Sequence, residues 1–136
     1  MPSKECHLAL ARKNQQTLDY LLLEFDRHSA WIATVAFYKA LHLVEAVFAA
    51  DPNIRHGHSH EERESYLKST RHYSHIWKYY RLLWAASMIG RYLEDRTDEY
   101  ASFSEFMTPD EVKHNLVGHW LWQVEQSASK FLDPKS

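Results

Sequence analysis

The sequence predicts an all-α protein, an antiparallel up-and-down bundle of four long helices and one short helix. Helix-breaking residues are scarce, because only 3 Gly and 4 Pro occur among the 136 residues. Apolar side chains recur at helical spacing over long segments, and no segment shows the sustained alternation bounded by turns that is typical of a hairpin. The length fits a single domain spanning residues 1–136.

The first two helices are predicted over residues 4 to about 26 and 29 to about 50. Ser29 is the predicted N-cap of the second helix. This second helix is apolar almost all round, which indicates the central position in the bundle. Asp51-Pro52-Asn53 ends it, because Pro cannot continue a helix and Asp and Asn favour turns. The apolar stripe of the first helix, interrupted by Gln15, consists of Leu8, Ala11, Leu18, Leu22 and Phe25.

The short helix and the fourth helix each begin at a serine. Ser59 and Glu62 form a capping box that opens a short helix from His60 to about Ser69. Ser74 is the predicted cap of a helix over about 75–95, followed by a polar loop over 95–104. One face of this fourth helix is predicted to be buried: Tyr79, Leu83, Ala86 and Gly90, with Ile76, Tyr80 and Ser87 beside them.

The last helix has the clearest start signal. Thr108 is a cap, Pro109 takes the first helical position and Glu111 completes a capping box. The helix is predicted to reach about residue 131, with Trp122 on a dimer surface. Its buried stripe is predicted to be Val112, Leu116, Trp120, Val124, Ser127 and Phe131.

Charge and cysteine content favour a cytoplasmic protein that is not in a membrane. The 16 Lys and Arg against 18 Asp and Glu give a net charge of -2, so there is no overall basic field to attract nucleic acid. Cys6 is alone, which excludes an internal disulfide and fits a reducing cytosol. Residues 1–10 contain no apolar run of signal-peptide length. The most apolar segment, 30–50, carries Lys39, His42 and Glu45, which a membrane span tolerates poorly.

Those three polar residues share one face of the second helix, because they are three residues apart. One interpretation is a hydrogen-bonded, partly buried network. The other is a ligand pocket made with Tyr38, His42 and Arg91.

A basic and aromatic stretch covers residues 68–81. Interleaved cations and rings suit single-stranded RNA, through phosphate contacts and stacking. The alternative is that the aromatic side chains belong to the core.

The loop before the short helix carries the residues with the most chemistry. His56, His58 and His60 alternate, and imidazoles of this kind bind zinc or nickel. Alternatively, this segment is a polar loop and helix cap. Arg55 and His60 form an Arg-x4-His pair, which can cleave RNA without metal: the imidazole takes the 2′-hydroxyl proton and the guanidinium holds the phosphate. No dinucleotide or phosphate-loop motif is present, so no cofactor is predicted.

Three segments together resemble the HEPN family (higher eukaryotes and prokaryotes nucleotide-binding domain). Residues 33–49 hold an aromatic pair followed by a histidine, like the family's second helix. Residues 58–63, leading to Tyr66-Leu67, are similar to the loop and short helix of one bacterial subgroup. Residues 80–92 are similar to that subgroup's Tyr-Arg-x-Leu…Ser…Arg-Tyr helix. The resemblance runs from about Arg12 to Leu132.

The resemblance implies a helical bundle, a homodimer and action on RNA. Many members are metal-independent ribonucleases of toxin–antitoxin or defence systems, with an Arg-x4–6-His pattern that Arg55 and His60 match, and a cognate antitoxin protein is then a partner. Other members bind RNA, nucleotides or proteins without catalysis, which is the alternative function. A His-rich metal-binding bundle is the third. The candidate ligand-binding residues are Tyr38, His42, His58, Arg63 and Arg91.

Overall fold

Helices make up nearly all of the computed structural model, which describes residues 3–54, 59–94 and 103–133. Within these ranges there is no strand, and the predicted all-α bundle is confirmed. Two 3-10 turns, Phe25–Arg27 and Arg71–Tyr73, precede the second and the fourth helix. The helices are α1 Lys4–Leu22, α2 Ser29–Ala49, α3 His60–Ser69, α4 Ser74–Glu94, α5 Phe103–Phe106, α6 Pro109–Glu111, a π-helix, π1, Val112–Leu121, and α7 Trp122–Leu132.

The central helix is α2, as its apolar composition predicts. It packs against α1, α4, π1 and α7. Among the described helices only α2 is long and apolar enough to cross a membrane, and 67% of its most apolar stretch is buried inside the bundle. The helix α4 lies very close to the N-terminal end of α2, since a Cβ on Gly90 of α4 would be 3.0 Å from the backbone oxygen of Ala30. The burial of α2 is therefore that of a bundle's core helix.

The start of α2 differs from the prediction. His28, not Ser29, is the N-cap, and no side chain caps the helix. The turn Phe25–Arg27 brings the chain into helical geometry one residue early, so the His28 carbonyl accepts the first helical hydrogen bond from Ile32 at 2.8 Å. The same turn ends α1 at Leu22, before the predicted end.

The start signals of α3 and the C-terminal helix are confirmed, whereas the predicted cap of α4 is wrong: Ser74 has helical backbone angles and is the first residue of the helix. The Ser59 hydroxyl accepts a hydrogen bond from the Glu62 amide at 3.2 Å, and the Thr108 hydroxyl accepts one from the Glu111 amide at 3.2 Å. On α4 the predicted inner face is buried. The predicted loop 95–104 lies mostly outside the described residues, but its end is wrong, because Phe103–Phe106 is helical and the Phe103 ring is buried.

The segment π1 changes which residues of the C-terminal helix face the core. A π-helix closes its hydrogen bonds at i→i+5. The residue five positions after Leu116, Leu121, is therefore buried, whereas Trp120 is only partly buried. Trp120 still packs against the core, but the predicted stripe is wrong at Phe131, which is 37% exposed. Trp122 is 49% exposed, on the outside of the bundle.

Candidate functional site

Most of the predicted site residues that the structure describes lie along one side of the bundle. Here α2 and α4 are bridged by α3, and the polar contacts between the three helices form a line. This line, called the α3 seam below, consists of Tyr38, Glu45, His60, Arg63, Tyr80, Trp84 and Arg91.

His60 is the first residue of α3, and its ring is fixed by stacking. The imidazole lies on the Trp84 indole, with ring centroids 4.4 Å apart and the planes 11° from parallel. Its Nε2 is 3.9 Å from a carboxylate oxygen of Glu64. Its Nδ1 is buried and makes no hydrogen bond with any residue that the structure describes. The side chain is 26% exposed, so a ligand can reach this oriented ring.

The structure does not describe the three loop residues that were predicted to act with His60. Arg55, His56 and His58 lie outside the described residues. The pairing of Arg55 with His60 and the ligand role of His58 stay predictions. In the part of the chain that is described, no three His, Cys, Asp or Glu side chains form a group that could hold a metal.

Arg63 is engaged inside the protein. Its guanidinium donates to Glu45 at 3.0 Å and to the Tyr80 hydroxyl at 3.2 Å. The Arg63 and Glu45 side chains are 12% and 7% exposed. Burial opposes the charge of Arg63, but Tyr80 and Glu45 outweigh it and raise the pKa of the guanidinium. Arg63 was predicted to bind a ligand, and the structure gives it a contact that ties α3 to α2 and α4.

Arg91 lies at the other end of the seam and is held by uncharged groups. It donates to the Tyr38 hydroxyl at 3.2 Å and to the Ser87 carbonyl at 3.4 Å. It also lies over the Phe37 and Tyr38 rings. Among the described residues no carboxylate forms an ion pair with it, so its positive charge is oriented and available to an anion. Two of the residues predicted for a ligand pocket, Tyr38 and Arg91, are therefore in contact.

His42 does not join them. Its Nδ1 is 3.2 Å from the Nδ1 of His7 on α1, on the side of α2 that faces α1. Burial, and then the charge of His7, lower the pKa of His42. The predicted pocket of Tyr38, His42 and Arg91 is thus divided between two places.

The remaining residue of the polar line on α2, Lys39, is part of a hydrogen-bonded network. Its side chain is 11% exposed and its ammonium group contacts Gln15 and the Glu125 carboxylate. Gln15 interrupts the apolar stripe of α1, and its side-chain oxygen accepts a hydrogen bond from the Lys39 ammonium group. For Lys39 and Glu45 the interpretation as a buried network is confirmed.

Tyr80 and Trp84 are seam residues that were not predicted from the sequence as site residues. A usable signal was present, because Trp84, Ser87 and Arg91 follow one another at helical steps on α4. The stacking of His60 on Trp84 joins positions far apart in the chain, and no local pattern encodes it.

The low pKa of His42 predicts an acid-sensitive contact between α1 and α2. An unfolded His42 binds its proton at the ordinary pKa, near 6.5, whereas the folded one resists it. Stability therefore falls as the pH drops through that ordinary value, until the folded His42 is also protonated. Thermal denaturation of the wild type between about pH 7 and pH 5 is expected to show a decrease in Tm that His42→Gln reduces. His119→Gln, at an exposed histidine, is the control; an equal decrease in all three proteins contradicts the assignment to His42.

Comparison with protein-family models, with curated proteins and with solved structures gave no match. Function is therefore inferred from the geometry of the seam, together with the sequence resemblance.

Proposed function

We propose that this protein is an RNA-associated, HEPN-like protein that cleaves RNA without a metal, with Arg55 and His60 as the catalytic pair. The observation that supports it is the His60 ring at the start of α3, held flat on Trp84 and partly open to solvent. A stacked ring keeps one orientation, as a general base must. Arg55 precedes His60 by five residues, at the spacing of the family's pattern.

In this reaction His60 removes the proton from a ribose 2′-hydroxyl. The 2′-oxygen attacks the adjacent phosphorus, the bond to the 5′-oxygen breaks, and that oxygen takes up a proton as it leaves. The products are a 2′,3′-cyclic phosphate and a 5′-hydroxyl. Arg55 would hold the phosphate oxygens, on which negative charge develops.

The Arg55→Ala/His60→Ala variant tests this assignment. Removing a general base typically costs about 10²–10⁴-fold in rate, so the variant is expected to have almost no RNA cleavage. Arg12→Ala/His119→Ala removes one exposed Arg and one exposed His elsewhere and should cleave like the wild type. Equal cleavage by the wild type and the Arg55/His60 variant removes these residues from the mechanism.

A second candidate, nucleotide binding without catalysis, is favoured by Arg91. Its guanidinium is oriented by Tyr38 and Ser87 without a carboxylate among the described residues, which suits a phosphate group. Calorimetry with ATP should show binding that Arg91→Gln weakens at least about tenfold and Arg12→Gln leaves unchanged. Equal binding by Arg91→Gln contradicts this candidate.

A homodimer, a cognate antitoxin partner and a cytoplasmic location belong to the same proposal. Trp31 and Trp122 support dimerisation, because these large side chains are 57% and 49% exposed. Light scattering with size-exclusion chromatography measures the oligomeric state directly, and a monomer at all concentrations contradicts the dimer.

A further inference from the structure

One part of the chain departs sharply from its acidic balance. Residues 65–93 contain no Asp or Glu but five Lys or Arg, in a chain whose net charge is -2. Such an asymmetry concentrates positive potential on the elements formed by this segment, chiefly α4.

Two of these five cations have other contacts or belong to the seam. Lys68 pairs with Glu64 at 3.4 Å, and Arg91 belongs to the α3 seam. The others lie on the solvent side of α4 and of the turn before it. These three residues and the exposed His75 form a set that we call the α4 ridge: Arg71, His75, Lys78 and Arg81.

No carboxylate among the described residues pairs with a ridge residue. His75 contacts Gln123 at 3.0 Å, and the Lys78 ammonium lies 5.3 Å from the Tyr79 ring centroid. Both partners are uncharged. The Asp51 carboxylate accepts hydrogen bonds from the Tyr73 hydroxyl at 2.6 Å and from the Asn53 amide at 2.9 Å. The positive charge of the ridge is therefore left for an external anion.

The shape of the ridge fits an extended polyanion better than a compact one. Residues 71 and 81 are ten positions apart, which spans about 15 Å along a helix. Beyond Arg81 the same side of α4 presents the small, exposed Ala85 and then Tyr92, which is 58% exposed. An exposed ring in line with cations can stack an unpaired base.

The ridge also leads toward the seam. Arg81 is three residues before Trp84, so the two are neighbours on the surface of α4. Trp84 carries the His60 ring at 4.4 Å. A strand that follows the ridge thus passes beside the proposed general base.

We propose that the α4 ridge binds the phosphate backbone of single-stranded RNA, with Tyr92 stacking one base at its end. This inference rests on the proposed function and names the form of RNA that the protein takes. Duplex RNA is disfavoured, because its bases are paired and cannot stack on Tyr92.

Fluorescence anisotropy with a labelled, 2′-O-methylated, U-rich strand measures this binding, since that strand has no free 2′-hydroxyl to attack. The logarithm of the binding constant is plotted against the logarithm of the KCl concentration between about 50 and 200 mM. Each phosphate contact with a single strand contributes about 0.7 to the steepness of this plot. The Lys78→Gln/Arg81→Gln variant removes two contacts, so its slope should be shallower by about 1.4. Tyr92→Ala should weaken binding roughly fivefold or more with its slope unchanged.

The matched control is Arg12→Gln/Lys13→Gln, which removes the same charges from exposed positions of α1. It should bind like the wild type, with an unchanged slope. Equal slopes for the ridge and control variants overturn the ridge, and so does competition by polyglutamate as strong as that by unlabelled RNA. If the wild type cleaves RNA in EDTA but does not bind the methylated strand, the ridge proposal alone is overturned. If the wild type neither binds the strand nor cleaves RNA, the proposed function is overturned as well.

Discussion

Glu45→Gln is expected to lower the free energy of unfolding by about 3 kcal/mol, because it leaves the Arg63 guanidinium charged in a buried position without its carboxylate. Glu45 and Arg63 are 3.0 Å apart, and their side chains are 7% and 12% exposed. Urea denaturation measures the change. Glu5→Gln, at an exposed position of α1, is the control and should change stability by less than about 0.5 kcal/mol.

A second variant separates the loss of a partner from the value of the pair itself. Replacing Glu45, Arg63 and Tyr80 together by Leu, Met and Phe removes the polar side chains that the structure describes in this contact. Such replacements of buried ion pairs are often close to neutral, so the triple variant should be more stable than Glu45→Gln. A triple variant that is less stable than Glu45→Gln contradicts the assignment of the loss to an unpaired charge.

Leu121→Ala is expected to cost about 3 kcal/mol, within the range of about 2–5 kcal/mol for deleting a core leucine. Leu121 is 1% exposed because π1 turns it inward. An α-helical register would bury Trp120 in its place and leave Leu121 outside. Leu23→Ala, at a side chain 80% exposed, is the control, with an expected change of less than about 0.5 kcal/mol. Similar small losses for both variants contradict the π-helical register.

The helices were predictable where their signals are local. The capping boxes at Ser59 and Thr108 involve residues three positions apart and need no tertiary partner. The inner face of α4 follows from a regular period. The π-helical segment escaped prediction, because the same residues read as an α-helix with Trp120 inside, and only packing selects Leu121.

The candidate site was predictable as a set of residue types but not as an arrangement. Lys39, Glu45 and Arg63 stand out as polar residues in or near apolar helices, yet their partners come from other helices. Arg63 meets Tyr80 across 17 positions, and Arg91 meets Tyr38 across 53. The sequence spacing of His42 from Tyr38 suggested one pocket, whereas His7 on α1 draws the imidazole to another side.

RNA cleavage by the wild-type protein in excess EDTA tests the central claim most directly. The expected result is cleavage that persists without metal and leaves 2′,3′-cyclic phosphate and 5′-hydroxyl ends, as attack by the 2′-oxygen requires. Intact RNA after incubation with pure, folded protein, or cleavage that stops when EDTA is added, would contradict a metal-independent ribonuclease built on His60.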